Sequence, residues 1–405
     1  MRRHALSIVD QALSSGTSFI AVLAMARSLE PTVFGVFAML FTALTLFLGL
    51  SRAFFGIPVA LATAGSADHL RRLFSASTTA LSLLFIPLAL MVAVTGLLAT
   101  DQRDSTTMVL IAMIALATPL VMIQDLCRYY AIAKGEPFKA VLSDAVRLGG
   151  ALVLFVTGPF LESTTLSIAW AMIVFLSVIT VMPSLRPRLL FREGLRLLSP
   201  RRGLRESVTL AVALSTGVTL AMGFLMVPFL GASAVGTIRG AGTLFGPVNT
   251  LIALLDFSVL GSLSTRERSR DVRSVVAVTG VLTLVTAAWA GILLLLPETV
   301  GRLLLGETWS STRAILPITS VEYLFLAVSA GLTLIFKLRD RPRVLLLNRV
   351  LSSVVILVAV IVALITGGGV ASMAWALLLG AFMSASGMAR GTEREHRVLP
   401  RELTR

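Results

Sequence analysis

The sequence predicts an all-α membrane protein of about twelve transmembrane helices, in two pseudo-symmetric six-helix bundles with both termini cytoplasmic. Three observations predict this. Apolar runs of about twenty residues recur along all 405 positions. Basic residues crowd into alternate short connections. One long basic connection falls at mid-chain.

Composition agrees. Hydrophobic residues make up 56%, charged residues 14%, and the mean hydropathy is +0.91, where a soluble domain carries roughly 25% charged residues. The apolar runs are read at 8–26, 33–51, 75–98, 108–126, 138–158, 164–182, 207–229, 243–263, 274–296, 313–336, 344–366 and 370–388. Hydrocarbon offers the backbone no hydrogen-bond partner, so each run is a helix or part of a closed barrel. Barrel strands are about ten residues long and alternate in polarity. These runs are longer and apolar all round, so helices are expected. The first run lacks a compact apolar core and a small-residue cleavage site, and is read as a span rather than a cleaved leader.

Orientation follows from the basic residues. With the N-terminus inside, the cytoplasmic segments carry 27 of the 35 lysines and arginines and the outer segments carry 5. Arg52, Arg147 and Arg349 lie in or at the ends of spans. Such alternation is the signature of membrane topology with the basic side cytoplasmic. A net charge of +14 would suggest nucleic acid in a soluble protein. Here topology and the attraction of anionic headgroups account for it, and no nucleic-acid partner is expected.

The longest connection, Pro183 to Ser207, holds seven arginines and divides the chain. The expected organisation is residues 1–182 as an N-terminal six-helix bundle, 183–206 as a basic cytoplasmic linker, 207–388 as a C-terminal six-helix bundle and 389–405 as a cytoplasmic tail. A short internal repeat supports the division. Leu29, Phe34 and Gly35 recur as Leu230, Val235 and Gly236 at a constant offset of 201.

Ionisable residues inside a membrane are costly and turn toward cavities or partners. Asp144 and Arg147 in span five share a helix face. They form either a self-masking ion pair or part of a polar cavity wall. Glu322 lies near the middle of span ten and Asp256 in span eight. Each is a candidate for coupling to a proton or sodium ion, or a helix-packing hydrogen bond. Arg52 ends span two, and Arg128 ends span four one turn after Gln124. A guanidinium offers a diphosphate paired donors and a permanent charge; the alternative is an arginine snorkelling to the headgroups. Arg349 is similar, and Asp10 and Gln11 open span one. Pro87, Pro119, Pro228, Pro247 and Pro317 lie within spans and can kink them.

Catalytic patterns are missing. The sequence has one cysteine, Cys127, and its three histidines, His4, His69 and His396, lie in loops or tails. There is no metal-ligand spacing, no phosphate-cradling glycine motif and no nucleophile constellation. No cofactor and no enzyme activity are expected. A membrane glycosyltransferase or polymerase is the enzyme alternative, but the outer connections are short.

Two hairpins carry a resemblance. The segments from Ala26 to Phe37 and from Gly236 to Pro247, together with Leu304-Leu305-Gly306-Glu307-Thr308-Trp309, resemble the O-antigen and lipid-linked oligosaccharide flippases. That family shares a superfamily with multidrug and toxin extrusion (MATE) transporters. The resemblance implies a MATE-like fold with two bundles around a partly cationic cavity. It also implies translocation of a polyprenyl-diphosphate-linked glycan to the outer leaflet of a bacterial inner membrane, driven by protons, sodium or the membrane potential. Arg147, Arg52, Arg128, Gln124 and Asp144 would then face substrate, and Glu322 and Asp256 would couple the ion. A cation-coupled drug antiporter on the same scaffold is the alternative transport reading.

Overall fold

The computed structural model describes the backbone of residues 2–62, 66–100, 104–198, 204–262, 272–338 and 341–402. It describes the side chains of residues 13–60, 62, 66–100, 104–198, 210, 213–214, 216–255, 275–337, 341 and 343–391. Among them the chain is helical throughout, without strands. The helices are α1 (Arg2–Ser28), α2 (Pro31–Ser51), α3 (Ile57–Leu61), α4 (Ala67–Leu83), α5 (Phe85–Leu98), α6 (Ser105–Lys134), α7 (Pro137–Thr157), α8 (Ser163–Leu185) and α9 (Phe191–Leu198). They continue as α10 (Leu204–Leu230), α11 (Ala232–Leu244), α12 (Gly246–Ser262), α13 (Val272–Leu294), α14 (Glu298–Leu305), α15 (Trp309–Leu338), α16 (Pro342–Ile365) and α17 (Val370–Glu402).

Among the described residues, eight helical stretches are long and apolar enough to cross a bilayer alone, and up to ten when each of two bent pairs counts as one crossing. Thr216–Leu230 is a shorter apolar helix. Lengths thus establish a multi-pass helical protein; a count of twelve and the inside orientation of both ends go further than they do. Large apolar side chains face outward, among them Ile86 at 69%, Leu284 at 71% and Ile365 at 79% exposure. Water would penalise such a surface, and lipid does not. Serine and threonine hydroxyls within the helices are satisfied locally: Thr42 bonds the Ala38 carbonyl at 2.7 Å and Thr118 the Ile114 carbonyl at 2.8 Å.

Prolines mark two of the breaks. The α4–α5 pair bends by 48° and the α11–α12 pair by 58°. Pro87 and Pro247 each follow the break within three residues, where the ring crowds the carbonyl four residues back. Pro119, Pro228 and Pro317 instead lie inside continuous helices.

Two compact units emerge. One is Met1–Arg239 with Arg302–Thr308; the other is Gly240–Gly301 with Trp309–Arg405. In the first, Phe55, Phe74, Leu126, Tyr130 and Val181 belong to one buried cluster, with Phe74 and Tyr130 stacked at 4.0 Å. Also in this unit, α2 crosses the start of α11 at glycine. A Cβ on Gly236 would stand 3.2 Å from the Gly35 Cα. In the second unit Phe245 stacks on Tyr323 at 4.1 Å. The Tyr323 hydroxyl donates to the Gly242 carbonyl and accepts from Asn249 Nδ2, each at 3.1 Å. Those bonds bridge the α11–α12 bend.

Candidate functional site: a buried arginine–aspartate network

Two expected span ends lie within helices instead. The α2 helix does not stop at Arg52. It passes through a π-helical turn, Arg52–Gly56, into α3. Pro58 has no N–H for the normal ladder, and the wider turn accommodates that loss. Gly56 in this turn lies against the Tyr129 ring, which a Cβ would meet at 3.0 Å. Likewise α6 continues past Arg128 to Lys134 and ends on Gly135 at φ +85°. The reading of both arginines as end-of-span residues is therefore corrected. A hydropathy run stops at a charge, whereas a helix continues when that charge finds a partner.

The partner is Asp125. Its carboxylate accepts from Arg52 Nε at 2.9 Å and Nη2 at 2.7 Å. It also accepts from Arg128 Nη1 at 2.8 Å. Arg128 Nη1 donates to Ser14 Oγ at 3.0 Å, and Nε lies 2.9 Å from Asp144 Oδ2. Snorkelling is excluded for Arg128, which is 5% exposed. Arg52 keeps 34% of its side chain exposed while its fork is held.

The network extends through α7 and α8. Gln124 Nε2 donates to Ser143 Oγ at 3.0 Å and Asp144 Oδ1 at 2.9 Å, and Gln124 Oε1 accepts from Arg147 Nη1 at 3.1 Å. Ser143 Oγ donates to the Ser177 carbonyl at 2.8 Å. Helical spacing explains the supply of groups: Asp125 and Arg128 are three apart on α6, and Ser143, Asp144 and Arg147 occupy one side of α7. Gln124, Asp125, Ser143 and Asp144 are all buried.

Five expected residues, Arg52, Gln124, Arg128, Asp144 and Arg147, are thus brought together. Among the described residues, three guanidinium groups face two carboxylates, a surplus of one positive charge. Arg147 is half-buried and faces a cavity of about 20 Å³ with Thr17, Ser18, Phe41, Ala151 and Trp170 on its walls. That volume holds about one water. Sequence reasoning missed Asp125, Ser14, Ser143 and Ser177. Asp125 had a signal, since an aspartate three residues before an arginine inside an apolar run predicts a shared helix face.

Glu322 belongs to the second unit, on α15. It is half-buried, with no hydrogen-bond or ion-pair partner among the described residues. Tyr323, beside it in sequence, makes the bonds across the α11–α12 bend instead. The backbone of α12 carries Asp256, but the Asp256 side chain lies outside the described residues, as do those of Asp10 and Gln11. No cluster of three or more histidine, cysteine, aspartate or glutamate side chains suited to a metal occurs among the described residues.

No protein-family profile matches the chain, and no curated protein does. Solved structures do. An inward-facing multidrug resistance MATE family transporter of the MOP superfamily gives a TM-score of 0.74 at 13% identity, over 96% of this chain and 97% of its own. The lipid II flippase MurJ, in an inward closed conformation, gives 0.73 at 12% identity, over 96% of this chain and 87% of its own. The eukaryotic MATE transporter AtDTX14 gives 0.62 at 16% identity, over 96% and 95%. At these identities the likeness concerns the fold. This chain has the fold of the MATE and MurJ structures.

Proposed function

We propose that the protein is a multi-pass transporter of a bacterial inner membrane that flips a polyprenyl-diphosphate-linked oligosaccharide from the inner to the outer leaflet by alternating access, for cell-surface polysaccharide synthesis. Twelve crossings in two six-helix bundles, with both ends inside, are part of this proposal. One observation carries it: a buried network with three arginines and two aspartates, on helices apolar enough to cross a bilayer. Its surplus positive charge and the partly exposed side chains of Arg52 and Arg147 suit a diphosphate, which takes charge-assisted N–H donors. Asp125 holds Arg52 and Gln124 holds Arg147, while Arg128 and Asp144 tie Asp125 and Gln124 into one set. Glu322 and Asp256 are proposed to couple a proton or sodium ion to the cycle.

A drug antiporter is the second reading, and the Glu322 carboxylate, without a partner among the described residues, favours it. Purified protein in vesicles separates the two. Movement of a polyprenyl-diphosphate sugar to the outer leaflet, lost in Arg147→Ala, supports flipping. Coupled efflux of a cationic dye, with the diphosphate lipid left in place, overturns it. Sugar transfer by the purified protein would reveal an enzyme instead. In cells, deletion of the gene should deplete surface glycan and accumulate its lipid-linked precursor.

A further inference from the structure

The segment after α8 has a property that transport does not require. Its chain leaves α8 through Arg186 at φ +48°, the one non-glycine residue with positive φ among those described. A left-handed turn is costly for arginine, and it redirects the chain sharply at the end of a crossing. The segment then docks on α4. The Arg188 N–H donates to Ser75 Oγ at 3.1 Å and the Leu190 N–H to Thr79 Oγ1 at 2.9 Å. Gly194 lies so close that a Cβ would stand 3.2 Å from the Ala80 nitrogen, and Leu197 and Leu198 join the buried cluster of the first unit.

What remains outward is two-sided. Phe191 and Leu195, one turn apart on α9, are 57% and 59% exposed, and Leu189 just before them is 66% exposed. Arg192 and Arg196 are likewise one turn apart, on a face about 100° further round the helix. Arg186, Arg188, Arg192 and Arg196 are all exposed, and none has an ion-pair partner among the described residues. Exposed Arg71 and Arg72 add to the basic rim from α4, the helix on which α9 docks. Glu193 is the single acidic residue of α9.

We infer that α9 is a lipid-surface sensor: it lies at the membrane interface, with Leu189, Phe191 and Leu195 in the acyl boundary and its arginine row on the phosphates of anionic phospholipids. The apolar flank and the cationic row adjoin, as an interfacial helix requires. Four arginines without ion-pair partners among the described residues match a negatively charged lipid surface, where each contributes comparably to the attraction. A soluble acidic protein would match the charge but leave Phe191 and Leu195 in water.

The test uses the full-length protein. Leu195→Cys introduces a reactive thiol, since the native Cys127 is buried, and is labelled with an environment-sensitive dye. The labelled protein is reconstituted in phosphatidylcholine alone or mixed with phosphatidylglycerol. The expected result is a blue shift and stronger quenching by spin-labelled lipid when phosphatidylglycerol is present. Arg192→Gln with Arg196→Gln should lower the ratio of docked to undocked probe by about 30-fold, while the double lysine variant keeps it. A probe equally buried in both lipid mixtures, or equally open to aqueous iodide in both, overturns the inference. Neither outcome depends on the transported substrate.

Discussion

Gly35 and Gly236 meet across α2 and α11, and they are the same position of an internal repeat, 201 residues apart. Glycine is required because the two backbones nearly touch, an approach that small residues permit in membrane helices.

That contact predicts an asymmetric pair of variants. A Cβ on Gly35 would fall 1.9 Å from the Ala232 carbonyl oxygen, which is backbone and cannot swing away. On Gly236 the nearest neighbours stand at 3.0 to 3.2 Å. Gly35→Ala should therefore destabilise the protein by about 3 kcal/mol or more, and Gly236→Ala by about 1 kcal/mol. Thermal unfolding of purified protein in detergent checks the order.

Asp125 neutralises two arginines. Asp125→Asn leaves both without that charge partner, and breaking a buried pair this way costs about 3–5 kcal/mol. The variant should be poorly expressed or unfold early on heating. Arg52→Ala combined with Asp125→Ala should cost less than the two single changes added, because they share one interaction. A double-mutant cycle on unfolding midpoints measures that coupling.

Arg147 is bound differently. Its hydrogen bond goes to the neutral Gln124 amide oxygen at 3.1 Å, and its side chain is half-buried. Arg147→Ala should cost only about 1 kcal/mol of stability, yet lower flipping of a diphosphate lipid at least about tenfold, the loss of one charge-assisted contact. Flipping at the normal rate by a well-folded variant would remove Arg147 from the substrate site.

The connection between α6 and α7 is sensitive to acid. Glu136 takes 2.8 Å contacts from Lys134 and Lys139, and these hydrogen bonds hold its carboxyl below the usual carboxylate range. A lowered folded value means that the stabilisation is present above the unfolded carboxylate range and is lost as pH falls through the folded value. The three side chains are well exposed, so the contribution is under about 1 kcal/mol and shrinks with salt. Glu136→Gln should flatten the acid limb of the unfolding midpoint measured against pH.

Much of this was legible before any coordinates. The helices follow from run length, and all twelve expected stretches fall on helix apart from a few end residues and the breaks near Leu84 and Phe245. The repeat at Gly35 and Gly236 was visible as two short matching strings. What hydropathy could not show was pairing over distance. Arg52 and Asp125 are 73 residues apart, so Arg52 looked like the end of a run and Asp125 was passed over. The bends were only half legible: five prolines were candidates, and Pro87 and Pro247 sit at the two sharp ones.

The sharing of Asp125 by two arginines also constrains descent. A change at position 52, 125, 128 or 144 strands a charge elsewhere in the set, so drift at one site is tolerated only when another compensates. Among homologous chains these four positions should covary as a block, with whole-set replacement by neutral residues as the other permitted outcome.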